Sequence, residues 1–297
     1  MSDLAIGAPK NTTLPGVSLS RRIMDHFMTF LSFLAMALVL APLIAIFGYL
    51  LYKGIVSINW AFLTQTPKPV GEPGGGMANA IVGSAVILSI ASLIGVPLGI
   101  GAGIYLAEYG RGGRFGSIVR FTSDVLNGVP SIVIGIVAYG IVVIRQKHFS
   151  ALAGGVALAI MMIPTITRTT EEMLLLVPSQ IREAAFGLGI SQWRTTLSIT
   201  LRTAVSGIIT GVMLAFARVA GETAPLLFTA FGNQHWNFDL NRETAALPLQ
   251  IFTYATSPYE DQIRQAWAGA LVLIVMIVFA VSAVRIAVRR GNLSGAH

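Results

Sequence analysis

Arg218 and Glu222 are a base and an acid four residues apart in a stretch, 203–230, that is otherwise uncharged. On a helix that spacing sets both side chains on one face, where they can pair. A guanidinium carries several N–H donors in a planar fork matched to the oxygens of a tetrahedral oxyanion. The chemistry this suggests is reversible anion binding, with no bond made or broken. Arg218 would hold the anion, and Glu222 would neutralise Arg218 between passages and so weaken its grip. An ion pair pinning two helices is the plainer reading, and for Glu222 both stay open. Asn127 is a third candidate: it could offer an amide where Gly128 and Pro130 interrupt another apolar run, although a kink for helix packing is the plainer reading of these residues.

Other chemistries are excluded by absence. The sequence has no G-x-x-x-x-G-K-[ST] loop, no catalytic triad, no metal-ligand cluster and no cysteine. The chain is expected to be no enzyme and to hydrolyse no ATP, so energy for moving an anion must arrive from a partner.

The elements that position these residues follow from composition. Hydrophobic residues make up 54% of the 297 and charged ones 11%, and mean hydropathy is +0.74. A soluble domain carries roughly twice that charge fraction, so this is an integral membrane protein. Residues 27–51 are 25 in a row without a charge, enough to cross a ~30 Å hydrocarbon core and too many for a signal peptide. Further apolar stretches are 79–107, 125–144, 149–167, a fifth from about 203 that is broken by Arg218 and Glu222, and 266–284. Six helices are predicted, because backbone in lipid must satisfy its own hydrogen bonds. The glycines at 95, 99, 101 and 103 point to close helix contact within the second span.

Orientation follows from the basic residues. With the N-terminus in the cytoplasm, 13 of the 20 Lys and Arg fall inside and six outside (Lys53, Lys68, Arg145, Lys147, Arg242 and Arg264), leaving Arg218 within the membrane. That bias predicts both termini inside. The net charge of +7 is therefore a signature of topology, not of nucleic-acid binding. Arg168, just below the fourth span, could guide an anion out at the cytoplasmic mouth or anchor a lipid headgroup. The longest outer connection, 231–265, could fold back or receive a soluble partner.

One cytoplasmic interruption, 179–193, is too polar for lipid and too well punctuated for an idle loop. Ser179 is predicted to cap a short helix, Gly189 to close it in a left-handed turn, and Ser191 to cap a second helix running towards Leu201. The result is a helix–turn–helix knob whose adjacent Ala184 and Ala185 let another backbone come close.

The pattern Glu183-Ala184-Ala185, then Gly189, Ile199 and Leu201, resembles the "EAA" loop of binding-protein-dependent ABC importers, where this loop is the coupling helix that docks on the ATPase subunit. Arg202 departs from the family, which usually has proline there. Longer blocks narrow the resemblance: Asn79–Gly83, the glycine-rich run from Ile94 to Tyr109, Asp124–Gly135, Arg168–Met173 and Arg218–Ala230 look like the PstA family, one of two permease subunits of phosphate ABC importers.

The resemblance implies an all-α membrane protein with six transmembrane helices and a cytoplasmic helix–turn–helix coupling loop at about 168–202, the MetI-like permease fold. Tails at 1–26 and 289–297 would flank a permease domain at 27–288. It implies a bacterial plasma-membrane location, Arg218, Glu222, Arg168 and Asn127 as substrate-path residues, and Glu183, Ala184, Ala185 and Gly189 as ATPase-coupling residues. The implied partners are a second permease (PstC-like), two ATPase subunits (PstB-like), an extracytoplasmic phosphate-binding protein (PstS-like), phosphate and membrane lipid. No cofactor is implied on this chain; ATP and magnesium would sit on the partner ATPase. A permease for another oxyanion such as sulfate or molybdate, a secondary anion transporter and a signalling subunit are the alternatives.

Overall fold

The computed structural model describes residues 18–294 except Pro73 and Arg111, without the side chains of 289–294. Residues 1–17 and 295–297 of the expected tails lie outside it. The described chain is almost wholly helical, and Phe231 and Thr244 form an isolated bridge. In order, the helices are α1 Leu19–Ser57, α2 Trp60–Thr64, α3 Ala78–Ile104, α4 Arg114–Gly128, α5 Ser131–Ala138, α6 Ile144–Gln146, α7 Ala151–Leu175, α8 Ser179–Gly187, α9 Gln192–Thr195, α10 Leu201–Ala220, α11 Ala224–Leu227, α12 Leu247–Ala255 and α13 Glu260–Ser294.

The chain divides into two units, Met1–Tyr49 and Leu50–His297. In the first, α1 reaches back beyond the uncharged stretch through Arg21 and Arg22. The second contains every candidate site. Three π-helical turns join its segments, Tyr105–Tyr109 after α3, Tyr139–Val143 between α5 and α6, and Thr196–Thr200 between α9 and α10. Helix α9, the third π-turn and α10 thus make one helical span, Gln192–Ala220. It runs straight through Arg202, where a proline would have interrupted it.

Among the described residues five helices are long and apolar enough to cross a membrane, and a bent helix pair makes six if it counts as one broken span. The stretch predicted as one span at 125–144 contains the end of α4, a break at Val129-Pro130, and α5 onward, with a bend of 110°. Pro130 lacks the N–H that would continue α4, and it stands instead at the N-cap of α5.

Helix α7 is the axle of the second unit, with 67% of its most apolar window buried. It packs parallel to α3 along the predicted glycines. A Cβ at Gly95 would meet Met162 Cβ at 3.1 Å, one at Gly99 would meet Ile166 Cβ at 2.7 Å, and one at Gly103 would meet Thr170 Cβ at 2.5 Å. Lipid gives helices no hydrophobic reason to associate, so backbone approach at small residues supplies the packing. Gly101 faces away and meets nothing within 4 Å. On another face α10 packs antiparallel to α7, with Gly207 against Met173 and Gly211 against Thr169.

The connection 228–246 folds back into the end of the bundle where α3 and α7 begin. The N–H groups of Ser150, Ala151 and Leu152 donate to the carbonyls of Thr229, Arg242 and Leu240 at 3.0–3.2 Å, satisfying donors that a helix start leaves open. The buried Ser84 hydroxyl accepts from Leu247 N–H at 2.6 Å, and Asn79 Nδ2 donates to the Asn233 carbonyl at 2.7 Å. Gly83 lets the Ala245 carbonyl sit directly against α3.

Candidate functional site

Arg218 lies in the last turn of α10. Helix α10 stops at Ala220, and Gly221 caps it, so Glu222 stands outside the helix. The reason was present in the sequence: in a continued helix the Pro225 ring would clash with the carbonyl of Gly221, four residues earlier. The expected pairing on one helical face is therefore not formed. No ion pair within 4.0 Å joins Arg218 to Glu222, and Arg218 has no hydrogen-bond or ion-pair partner among the described residues. Its side chain is exposed, and Glu222 is half-buried.

The register of α10 on α7 gives the depth of Arg218. Continuing from Gly211 opposite Thr169 by seven residues in the antiparallel sense brings Arg218 level with Met162. At ~1.5 Å rise per residue this is about 17 Å into α7, near the middle of a membrane-spanning length. Asn127 lies a little nearer the knob: its Oδ1 accepts from the Thr165 hydroxyl at 3.1 Å, which ties the end of α4 to α7 just before the break. Its Nδ2 keeps both donors open among the described residues.

Arg168 is not in this group. It sits about one turn nearer the knob on α7 and pairs with Glu172 at 3.0 Å and Glu171 at 3.5 Å. Glu171 is 3% exposed and is held mainly by Arg120 at 2.6 Å, whose other arm donates to the Leu106 carbonyl at 3.0 Å. Composition and spacing gave no hint of this network, because its members lie at span ends and 51 residues separate Arg120 from Glu171.

The knob is α8, a turn at Gly189, and α9. Pro178, not Ser179, occupies the N-cap of α8, and Ser179 is its first helical residue. Proline's fixed φ suits that helix start. Gly189 adopts φ +76, and the N–H of Gly189 donates to the Phe186 carbonyl at 2.9 Å while that of Ile190 donates to Ala185 at 3.1 Å. Such closure favours glycine, since other L-residues pay for a left-handed φ. Ser191 stands at the N-cap of α9 without a side-chain cap.

The two alanines divide: Ala184 faces outward beside Glu183, whereas Ala185 is 3% exposed and packs inward. Phe186, Leu188 and Trp193 are also exposed on the knob. Beneath it lies Arg182, overlooked in the motif because it reads as one more loop arginine. Its guanidinium binds Glu108 Oε1 at 2.8 and 3.1 Å and the carbonyls of Leu174 and Val177 at 2.7 Å each.

The family model described as "Binding-protein-dependent transport system inner membrane component" matches residues 95–291. The phosphate transport system permease protein PstA of Yersinia pestis is 50% identical over 226 residues, covering 76% of this chain and 77% of that protein. PstA of Pasteurella multocida is 48% identical over 259 residues, covering 87% and 92%. Among solved structures, a chain of the MetNI methionine ABC transporter in an inward-facing form superposes with TM-score 0.59 at 17% identity, covering 71% of this chain and 97% of that one, a likeness of fold. An unpaired arginine at mid-depth, a broken third span and a helical knob at one end are thus set in a MetI-like frame, and the chain belongs to the family of binding-protein-dependent transport system inner membrane components, in its PstA phosphate-permease branch.

Proposed function

We propose that the chain is the membrane-spanning permease subunit of an ATP-driven phosphate importer, and that Arg218 is the phosphate-binding cation of its translocation path. The relatives named for phosphate transport support the substrate. The observation that carries the role of Arg218 is an exposed guanidinium at mid-bilayer depth without a partner among the described residues. A charge at that depth facing lipid costs at least ~2.5–3.5 kcal/mol. It must therefore face water or a second protein chain, and a path formed between this subunit and a homologous permease supplies both.

Asn127 supports the same path with its open amide donors near the α4–α5 break. Arg168, neutralised by Glu171 and Glu172, acts lower down at the mouth. Glu222, on the segment after α10, tempers the positive field without holding Arg218 directly.

The knob supports docking of an ATPase subunit through an exposed apolar surface around Ala184, Phe186 and Leu188, with Glu183 offering a charge beside it. The excess of basic residues assigned to the knob side supports a cytoplasmic knob. ATP binding then draws the knobs of the permease pair together and opens the path outward to a phosphate-binding protein, and hydrolysis returns it inward. Each state must bind its partners differently for the cycle to have a direction.

The test is phosphate uptake by the complex, reconstituted with its partner chains in vesicles, carrying Arg218→Ala or Arg218→Lys. A charge-assisted hydrogen bond contributes about 1.5–3 kcal/mol, so Arg218→Ala should lower kcat/KM for phosphate by roughly 10- to 150-fold. Arg218→Lys keeps the charge but loses the fork and should fall between. Unchanged uptake in Arg218→Ala would end the assignment.

A further inference from the structure

We propose that the Arg182–Glu108 ion pair is the joint through which the knob drives the membrane helices, making both positioning residues for transport. This rests on the reading of the knob as the ATPase-docking element.

The geometry points to a joint because one guanidinium joins three elements. Arg182 belongs to α8, its Nη2 and Nε grip Glu108 on the π-turn that ends α3, and two of its nitrogens cap carbonyls at the end of α7. The Arg182 side chain is 11% exposed and that of Glu108 6%. A pair so sheltered is little screened by salt. It also resists separation, because parting would leave both charges buried without a partner. Glu108 gathers the second arm of the knob as well, since Gln192 Nε2 at the start of α9 donates to the Glu108 carbonyl at 3.0 Å.

Above the joint, α3 and α7 are locked by the Gly95–Gly99–Gly103 contacts, and α7 carries Thr165 against Asn127. A push on α8 is thus delivered to the α3–α7 pair, and through it to the α4–α5 break. The backbone link from α8 to α7 is only Leu176, Val177 and Pro178, so without the ion pair α8 could tilt while the helices stay still.

The test uses the assembled complex in vesicles with inorganic phosphate as the transported probe. Glu108→Gln keeps the size of the side chain and one acceptor oxygen while removing its charge. The readouts are ATPase subunit bound per permease and phosphate moved per ATP hydrolysed. Coupling between sites in proteins typically amounts to about 5- to 150-fold, so phosphate per ATP should fall at least about fivefold with the ATPase still bound.

The chain has no cysteine, so within it a Glu108→Cys/Arg182→Cys pair offers a short, reducible bis-methanethiosulfonate its two thiols, with the complex of the cysteine-free chain treated alongside to account for thiols on the partner chains. Bridging should restore phosphate per ATP, and reduction should abolish it again, with the ATPase bound and the chain's unfolding midpoint unchanged throughout, which a merely structural role would not allow. Unchanged phosphate per ATP in Glu108→Gln, or a bridge that restores nothing, overturns the joint. Loss of the ATPase from Glu108→Gln also overturns it and assigns the pair to docking. Failure of the docking reading itself is seen separately, as absence of cross-linking from Ala184→Cys to the ATPase in an otherwise unaltered complex.

Discussion

The α3–α7 contact makes a quantitative prediction that pits one glycine against its neighbour. Alanine at Gly103 would place a methyl 2.5 Å from Thr170 Cβ and 2.8 Å from the Thr167 carbonyl oxygen. Carbon atoms pack best at ~3.5–4.0 Å, so the helices must part by about 1 Å. A side-chain rotation cannot help, because the obstacles are a Cβ and a backbone oxygen. Overpacking of this kind costs about 1–3 kcal/mol, against a gain of about 1 kcal/mol in helix propensity over glycine. At Gly101 the methyl meets nothing within 4 Å, so only the gain remains. Gly103→Ala should therefore be less stable than Gly101→Ala by about 1–3 kcal/mol. Between them the stripe should be graded, with Gly99→Ala at 2.7 Å worse than Gly95→Ala at 3.1 Å. The assay is thermal unfolding of the detergent-purified chain followed by tryptophan fluorescence, all variants at one scan rate because membrane-protein unfolding is often irreversible. Equal midpoints for the two alanine variants, or a lower one for Gly101→Ala, would refute the packing argument.

The remaining predictions concern the knob and the charges. Gly189→Val forces a β-branched residue into φ +76, which costs at least about 1–2 kcal/mol; ATPase subunits should dissociate or hydrolyse ATP without transport, and full phosphate-driven turnover would count against the coupling role. Ala184→Leu should leave the chain's own unfolding midpoint unchanged while blocking ATPase co-purification, whereas the buried Ala185→Leu should lower the midpoint; the reverse outcome would mean that the docking face is misplaced. Arg120→Ala leaves Glu171, 3% exposed, with only Arg168 at 3.5 Å, so stability should drop by about 3–5 kcal/mol. Arg218→Ala, measured in the same unfolding assay, should lose almost nothing.

The fold was legible wherever a local rule decided it. Apolar length located the five candidate spans, one of them in a stretch broken by charge, and glycines four residues apart marked a close helix contact whose partner is α7. Glycine at 189 specified its own left-handed turn. What went unread depended on proline acting at a distance of a few residues, or on contacts between distant segments. Pro130 was legible as an interruption of the third span, but the 110° bend there was not; Pro225 ends a helix that the Arg218–Glu222 spacing seemed to require, and Pro178 takes the cap position assigned to Ser179. The buried pairs Arg182–Glu108 and Arg120–Glu171 span 74 and 51 residues, and a charge near a span end looks the same whether it is solvated or buried against a partner.

These corrections alter the logic of the candidate path. The sequence suggested that Arg218 carries its own counter-charge, which would make binding a competition between Glu222 and the anion. The structure separates them and places the buried acid–base pairing elsewhere, at the knob end of α3, α4 and α7. The two kinds of charge have opposite requirements. A force-bearing contact must stay shut through the cycle, which favours burial and multiple hydrogen bonds such as the four that Arg182 makes. A transport site must open at every turnover, and a guanidinium held by no internal partner loses none of its donors to the protein when the anion arrives. Under the proposed role, release would depend on the site opening to water as the helices move, not on a neighbouring carboxylate displacing the anion. On the proposed reading, the absence of an internal partner for Arg218 among the described residues would let helix movement driven from the knob control both capture and release.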